Sequence, residues 1–159
     1  MDKLLLKDKM CLKLNNVLSI NVDKEELVHI DQIVDKMGNF ITANGYQPIG
    51  PLIQYTTTKI NDTGEVDVLF RFMRQSSGYI HKIEKPYEFK SQIKIANCMY
   101  CHYNGPENKL RFAYDKINLT AFESDISLNG DSYTIFVDNN EDEDTIIADV
   151  FMQRVDKEN

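Results

Sequence analysis

Five consecutive residues, Cys98-Met99-Tyr100-Cys101-His102, carry the spacing by which proteins attach haem covalently. Attachment needs both thiols and the imidazole to converge on one haem face. The string falls in a strand-like segment, however, and alternation sends Cys98 and Cys101 to opposite faces. The thiols therefore read as structural. Zinc fails on the same geometry, because no second Cys or His pair stands at ligand spacing. Asp138 to Asp144, continuing to Asp149, offers oxygen ligands in an order resembling a calcium loop. Its central Gly is replaced by Glu143 and its bidentate Glu by Asp149, so the run reads as a solvated acidic hairpin loop. No cofactor and no metal are expected.

Two acids on strands remain, Asp67 and Asp149. Val66, Val68 and Val150 are expected to face the helices, which turns both carboxylates to the other side. Tyr55, Tyr103, Tyr133 and Phe151 are candidate aromatic walls. A carboxylate among aromatic faces suits a cationic ligand. The plainer alternatives are a cross-strand pair with Lys or Arg for Asp67 and ordinary packing for the aromatics. His29 falls off its helix's apolar stripe, His81 sits in a connection, and His102 has no evident Ser or Cys partner. No nucleophile elbow, phosphate loop or dinucleotide fingerprint is present. No catalytic residue is expected.

Residues 10 to 22 alternate, with Met10, Leu12, Leu14, Leu18, Ile20 and Val22 on one parity, as a half-buried strand does. Asp23 and Glu26 form a capping-box pair. Leu27, Ile30, Val34, Met37 and Ile41 then line one helical stripe, which should end at Asn44-Gly45. Strands are expected from Leu52 to Lys59 and from Glu65 to Met73, joined by the turn Asn61-Asp62-Thr63-Gly64. The order repeats: a strand from Lys90 to Tyr103, a helix beginning near Pro106 with Leu110, Ala113, Tyr114, Ile117 and Ala121 on its stripe, then strands from Ser132 to Asp138 and from Thr145 to Val155. The chain thus reads strand-helix-strand-strand twice, offset by about eighty residues, and internal duplication is the economical reading. The implied class is α+β: antiparallel sheets, two helices on one face, and a central crevice where the halves join.

The chain has 159 residues, with 42% apolar and 27% charged, ordinary globular proportions that argue against disorder. No apolar run spans a bilayer, and the first residues are too short for a signal-peptide core. Three Cys, an odd number, read as reduced thiols in a cytoplasm. A net charge of −7 without a basic patch repels a phosphate backbone, so direct nucleic-acid binding is not expected. A cationic small molecule or a basic protein is the natural electrostatic match.

Gly45-Tyr-Gln-Pro-Ile-Gly-Pro-Leu-Ile-Gln-Tyr55, Tyr103-Asn-Gly-Pro-Glu-Asn-Lys-Leu110, Gly130-Asp-Ser-Tyr-Thr-Ile-Phe-Val-Asp138 and Thr145-Ile-Ile-Ala-Asp-Val150 occur in the order of one known pattern. It resembles the GyrI-like effector-binding domain, which also forms the drug-binding half of some bacterial transcription activators. The resemblance covers about Met10 to Val155 and implies one domain over 1–159, with repeats at about 10–75 and 90–155. It implies a stand-alone binder of a flat, cationic or amphipathic molecule in the crevice between halves. It also implies an acidic residue of the last strand facing that ligand, here Asp149. The family usually has Glu there, followed closely by Pro; this sequence has Asp and then Phe151-Met-Gln-Arg154. Some relatives are hydrolases of strained rings. The rival expectation is a protein-interaction module, such as an immunity or accessory protein of a secreted-toxin locus, acting through its acidic surface.

Overall fold

The computed structural model describes residues 3–140 and 143–155. Glu141 and Asp142 of the expected acidic loop lie outside the described residues. The elements are β1 (Lys3–Val22), α1 (Ile30–Ala43), β2 (Pro48–Ile60), β3 (Val66–Ser76), β4 (Tyr87–Pro106), α2 (Arg111–Glu123), β5 (Ser132–Asn140) and β6 (Thr145–Gln153). The class is α+β, with antiparallel strand pairs. Two compact units divide the chain: Lys13–Lys94, and Met1–Leu12 together with Ile95–Asn159. The two longest strands are each shared out between the units.

In the first unit, β3 pairs with β1 through Val17↔Gln75 to Val22↔Phe70, and with β2 through Ile53↔Met73 to Ile60↔Val66. The Glu26 carboxylate accepts the Asp23 N–H at 3.2 Å and caps a 3₁₀ turn, Lys24–His29, that leads into α1. Ile30, Ile33, Met37, Phe40 and Ile41 recur at helical spacing, so one stripe of α1 meets Leu18, Val22 and Phe72 of the strands. Met37 and Ile41 are fully buried there. The helix stops where expected: Gly45 adopts φ +90°, and the Tyr46 N–H reaches back to the Ile41 carbonyl.

The second unit repeats the arrangement. β6 lies between β4 and β5, paired through Cys98↔Gln153 to Pro106↔Thr145 on one side and Tyr133↔Phe151 to Asn140↔Thr145 on the other. Pro106 caps a 3₁₀ turn, Glu107–Lys109, that opens α2. Ala113, Ile117 and Ala121 press on Met99, Cys101, Tyr103, Ile146, Ala148 and Val150. The small side chains of α2 and β6 let helix and sheet approach closely, and the cluster is sealed from water.

Candidate functional site

β4, β5 and β6 each present one face to α2 and one away from it. Cys101, Tyr103, Ala148 and Val150 belong to the helix-side core. Residues of the other parity therefore stand on the far face. There the register sets Tyr100 opposite Phe151 and His102 opposite Asp149, with Tyr133 and Ile135 following on β5. Asp149 keeps 22% of its side chain exposed and His102 keeps 34%, so solvent reaches both.

Two hydrogen bonds converge on one oxygen of Asp149. The Tyr100 hydroxyl donates to Oδ1 at 2.6 Å, and His102 Nδ1 lies 2.7 Å from the same atom. With the carboxylate ionised, Nδ1 carries the proton and donates to it. Oδ2 receives no hydrogen bond among the described residues. Tyr100 also packs on Phe151, with ring centroids 4.9 Å apart and planes at 46°. Burial, and then the hydrogen bond and charge of Asp149, push the Tyr100 phenol well above its ordinary value, so it stays a neutral donor. The arrangement is a carboxylate fixed through one oxygen by two donors, beside an aromatic pair.

The expected residues separate as follows. Asp149, Phe151 and Tyr133 come together in this site. Tyr103 does not: its parity places it with Cys101 under α2, fully buried, and its hydroxyl donates to the Pro106 carbonyl. The expectation of an aromatic wall at Tyr103 is thus corrected. Asp67 and Tyr55 belong to the first unit. Asp67 is exposed near the β2–β3 turn, opposite Lys59, and Asn61 Nδ2 donates to its carboxylate at 3.3 Å. Val66 and Val68 were expected to face a helix but are 65% and 44% exposed. α1 covers Phe72 farther along the strand and leaves this end bare. Tyr55 stands opposite Arg71, whose guanidinium lies 5.8 Å from the ring centroid and donates through Nε to Asn21 Oδ1 at 2.9 Å. A recess of about 240 Å³ opens beside these three.

Sequence reasoning missed Tyr100, His102 and Arg71. The stacking of Arg71 on Tyr55 depends on cross-strand register, which no local signal in the sequence carries. Tyr100 and His102 sat inside the haem-like string, where the thiols drew attention. Burial pushes the Cys98 thiol up to about 11 and also raises Cys101, which leaves both unreactive. Among the described residues no group of three metal-ligating side chains occurs, and no helix is long and apolar enough to cross a membrane.

No family model matches this sequence, and no curated protein matches it. Solved structures do. The C-terminal domain of EcmrR superposes with a TM-score of 0.66 at 15% identity, covering 99% of each chain. In the EcmrR–DNA complex the TM-score is again 0.66, at 18% identity over 96% of this chain. This chain spans 57% of the length of EcmrR in that complex. A hydrolase from Listeria innocua gives 0.58 at 7% identity, covering 96% of this chain and 91% of its own. SAV2435 bound to tetraphenylphosphonium gives 0.52 at 8% identity, covering 96% and 93%. At such identities the likeness is one of fold: the chain shares the fold of the EcmrR C-terminal domain and of SAV2435.

Proposed function

We propose that the chain binds a cationic small molecule of aromatic or amphipathic character through the Asp149 face of its second unit. The observation that carries this reading is the half-occupied carboxylate: Tyr100 and His102 hold Oδ1, Oδ2 accepts no hydrogen bond among the described residues, and 22% of the side chain is exposed. Tyr100 and Tyr133, both half-buried, supply ring faces, with Phe151, 7% exposed, packed behind Tyr100, and a cation over a ring gains about 0.5–2 kcal/mol depending on desolvation. Because the donors already fix the carboxylate, little side-chain freedom is lost when a ligand arrives. SAV2435, a protein of the same fold, was captured with a cation that carries aromatic rings.

A thermal-shift series with tetraphenylphosphonium and cationic aromatic dyes tests the reading. A ligand at a hundred times its dissociation constant adds about 2.7 kcal/mol to folding stability. The wild type should be stabilised, and Asp149→Asn, which keeps shape and removes charge, should lose most of the shift. No shift in the wild type, or an equal one in the variant, refutes the proposal.

A further inference from the structure

The second unit closes a strand edge that the first leaves open. From His102 opposite Asp149, the β4–β6 ladder runs on to Pro106 opposite Thr145. In the first unit the matching ladder passes Asn21 opposite Arg71 and stops at Val22 opposite Phe70. The capped 3₁₀ turn that starts after Asp23 carries the chain away at that point. β3 nevertheless continues to Val66, held by β2 on one side, Thr57↔Leu69 to Ile60↔Val66. Its other edge, from Val66 to Leu69, has no strand partner among the described residues.

Alternate residues of such an edge direct N–H and C=O outward, which makes the edge a template for another strand. The side chains there are apolar and bare: Val66 is 65%, Val68 44% and Leu69 45% exposed. A groove of about 560 Å³ lies alongside, walled from Val22 to Glu25 and from Val66 to Phe70. Asp23, Glu25 and Asp67 charge it, against Lys24 alone.

We propose that this edge docks an extended, basic peptide segment of a partner protein, which pairs antiparallel to β3 in the line that β1 vacates. Backbone hydrogen bonds supply affinity, and alternate side chains supply specificity. Apolar residues of the added strand pack on Val66 and Val68, while Lys or Arg at the intervening positions meets the three carboxylates. A second copy of the chain is the poorer occupant, because edge-to-edge pairing would bring the Asp67 carboxylates of two chains of net charge −7 together. The inference is independent of the Asp149 site.

A fluorescein-labelled peptide of alternating Lys and Val is the probe, read by polarisation on the whole chain. Controls are the alternating Glu–Val peptide and the Lys–Val peptide interrupted by a central Pro. Saturable binding of the first is expected, weakened about tenfold by the Pro and abolished by the charge swap. Val66→Lys and Asp67→Lys, both at exposed positions, should each weaken it about tenfold, with circular dichroism confirming an unchanged fold. Equal binding of the Pro-interrupted peptide would reduce the effect to charge attraction and overturn the proposal, as would no binding by the wild type. A concentration-dependent dimer that Val66→Lys dissolves would assign the edge to a second copy instead.

Discussion

Asp149 shows how one side chain is fixed in place without every lone pair being satisfied by the protein. A carboxylate moved fully into the core would demand partners for every lone pair or would take up a proton. Parity keeps Asp149 off the helix side, and register supplies two donors to one oxygen only. Hydrogen bonds to a charged group contribute about 1.5–3 kcal/mol when sheltered, and less where solvent competes. Tyr100→Phe should therefore destabilise the fold by about 1 kcal/mol while preserving the ring contact with Phe151. A double-mutant cycle with Asp149→Asn, followed by urea unfolding, isolates the bond, and a coupling near zero would show that it contributes nothing. The parity of Asp149 was legible in the sequence, since Val150 beside it is apolar and buried. Its partners were not, because His102 stands 47 residues away and only the ladder brings the two together.

At the level of elements, the helices were the most legible parts, since their stripes and stops are local signals. The strand limits were less so. β1 begins at Lys3, although charges crowd its first residues, and β4 begins at Tyr87 rather than Lys90. Extended chain of this kind is specified by its neighbours, and the sequence shows no neighbours. The connection from β3 to β4 illustrates the same point. Gly78 reads as a turn residue, yet it is a packing residue: a Cβ there would lie 2.2 Å from Tyr46 Cε1. Ile80, 2% exposed, pins the segment to the core two residues on, so the backbone has little room to retreat. Gly78→Ala should cost about 1–3 kcal/mol through the displaced ring. In a Tyr46→Ala background the three atoms nearest the added methyl are gone, and the cost should largely vanish. Chemical unfolding of the four chains decides this, and an undiminished penalty without the ring would mean that Gly78 is required for its backbone alone.

Across the whole molecule, the repeat of element order is matched by a repeat of left-handed backbone positions. Asn16 and Asn97, Gly45 and Asp125, Gly50 and Gly130, and Gly64 and Asp144 are pairs of left-handed residues, 80 or 81 positions apart. Only some of these are glycine, which is why the sequence showed the repeat faintly. What the two units also share is a store of acids held neutral. Burial raises the thiols of Cys98 and Cys101 and the phenols of Tyr87, Tyr100 and Tyr114 above their ordinary values of 9.0 and 10.0. Above pH 9 the unfolded chain begins to lose protons that the folded chain keeps. The unfolded state then binds fewer protons, so stability falls as pH rises, by about 1.4 kcal/mol per pH unit for each group ionised only when unfolded. Below pH 9 these groups are protonated in both states, and their contribution is complete. Urea unfolding should therefore show a plateau that ends near pH 9 and a descent that steepens as the phenols join the thiols. Cys98→Ala should flatten the descent between pH 9 and 11, the interval over which that thiol ionises only in the unfolded chain. Unchanged stability of the wild type across that interval would mean that water reaches these groups in the folded state.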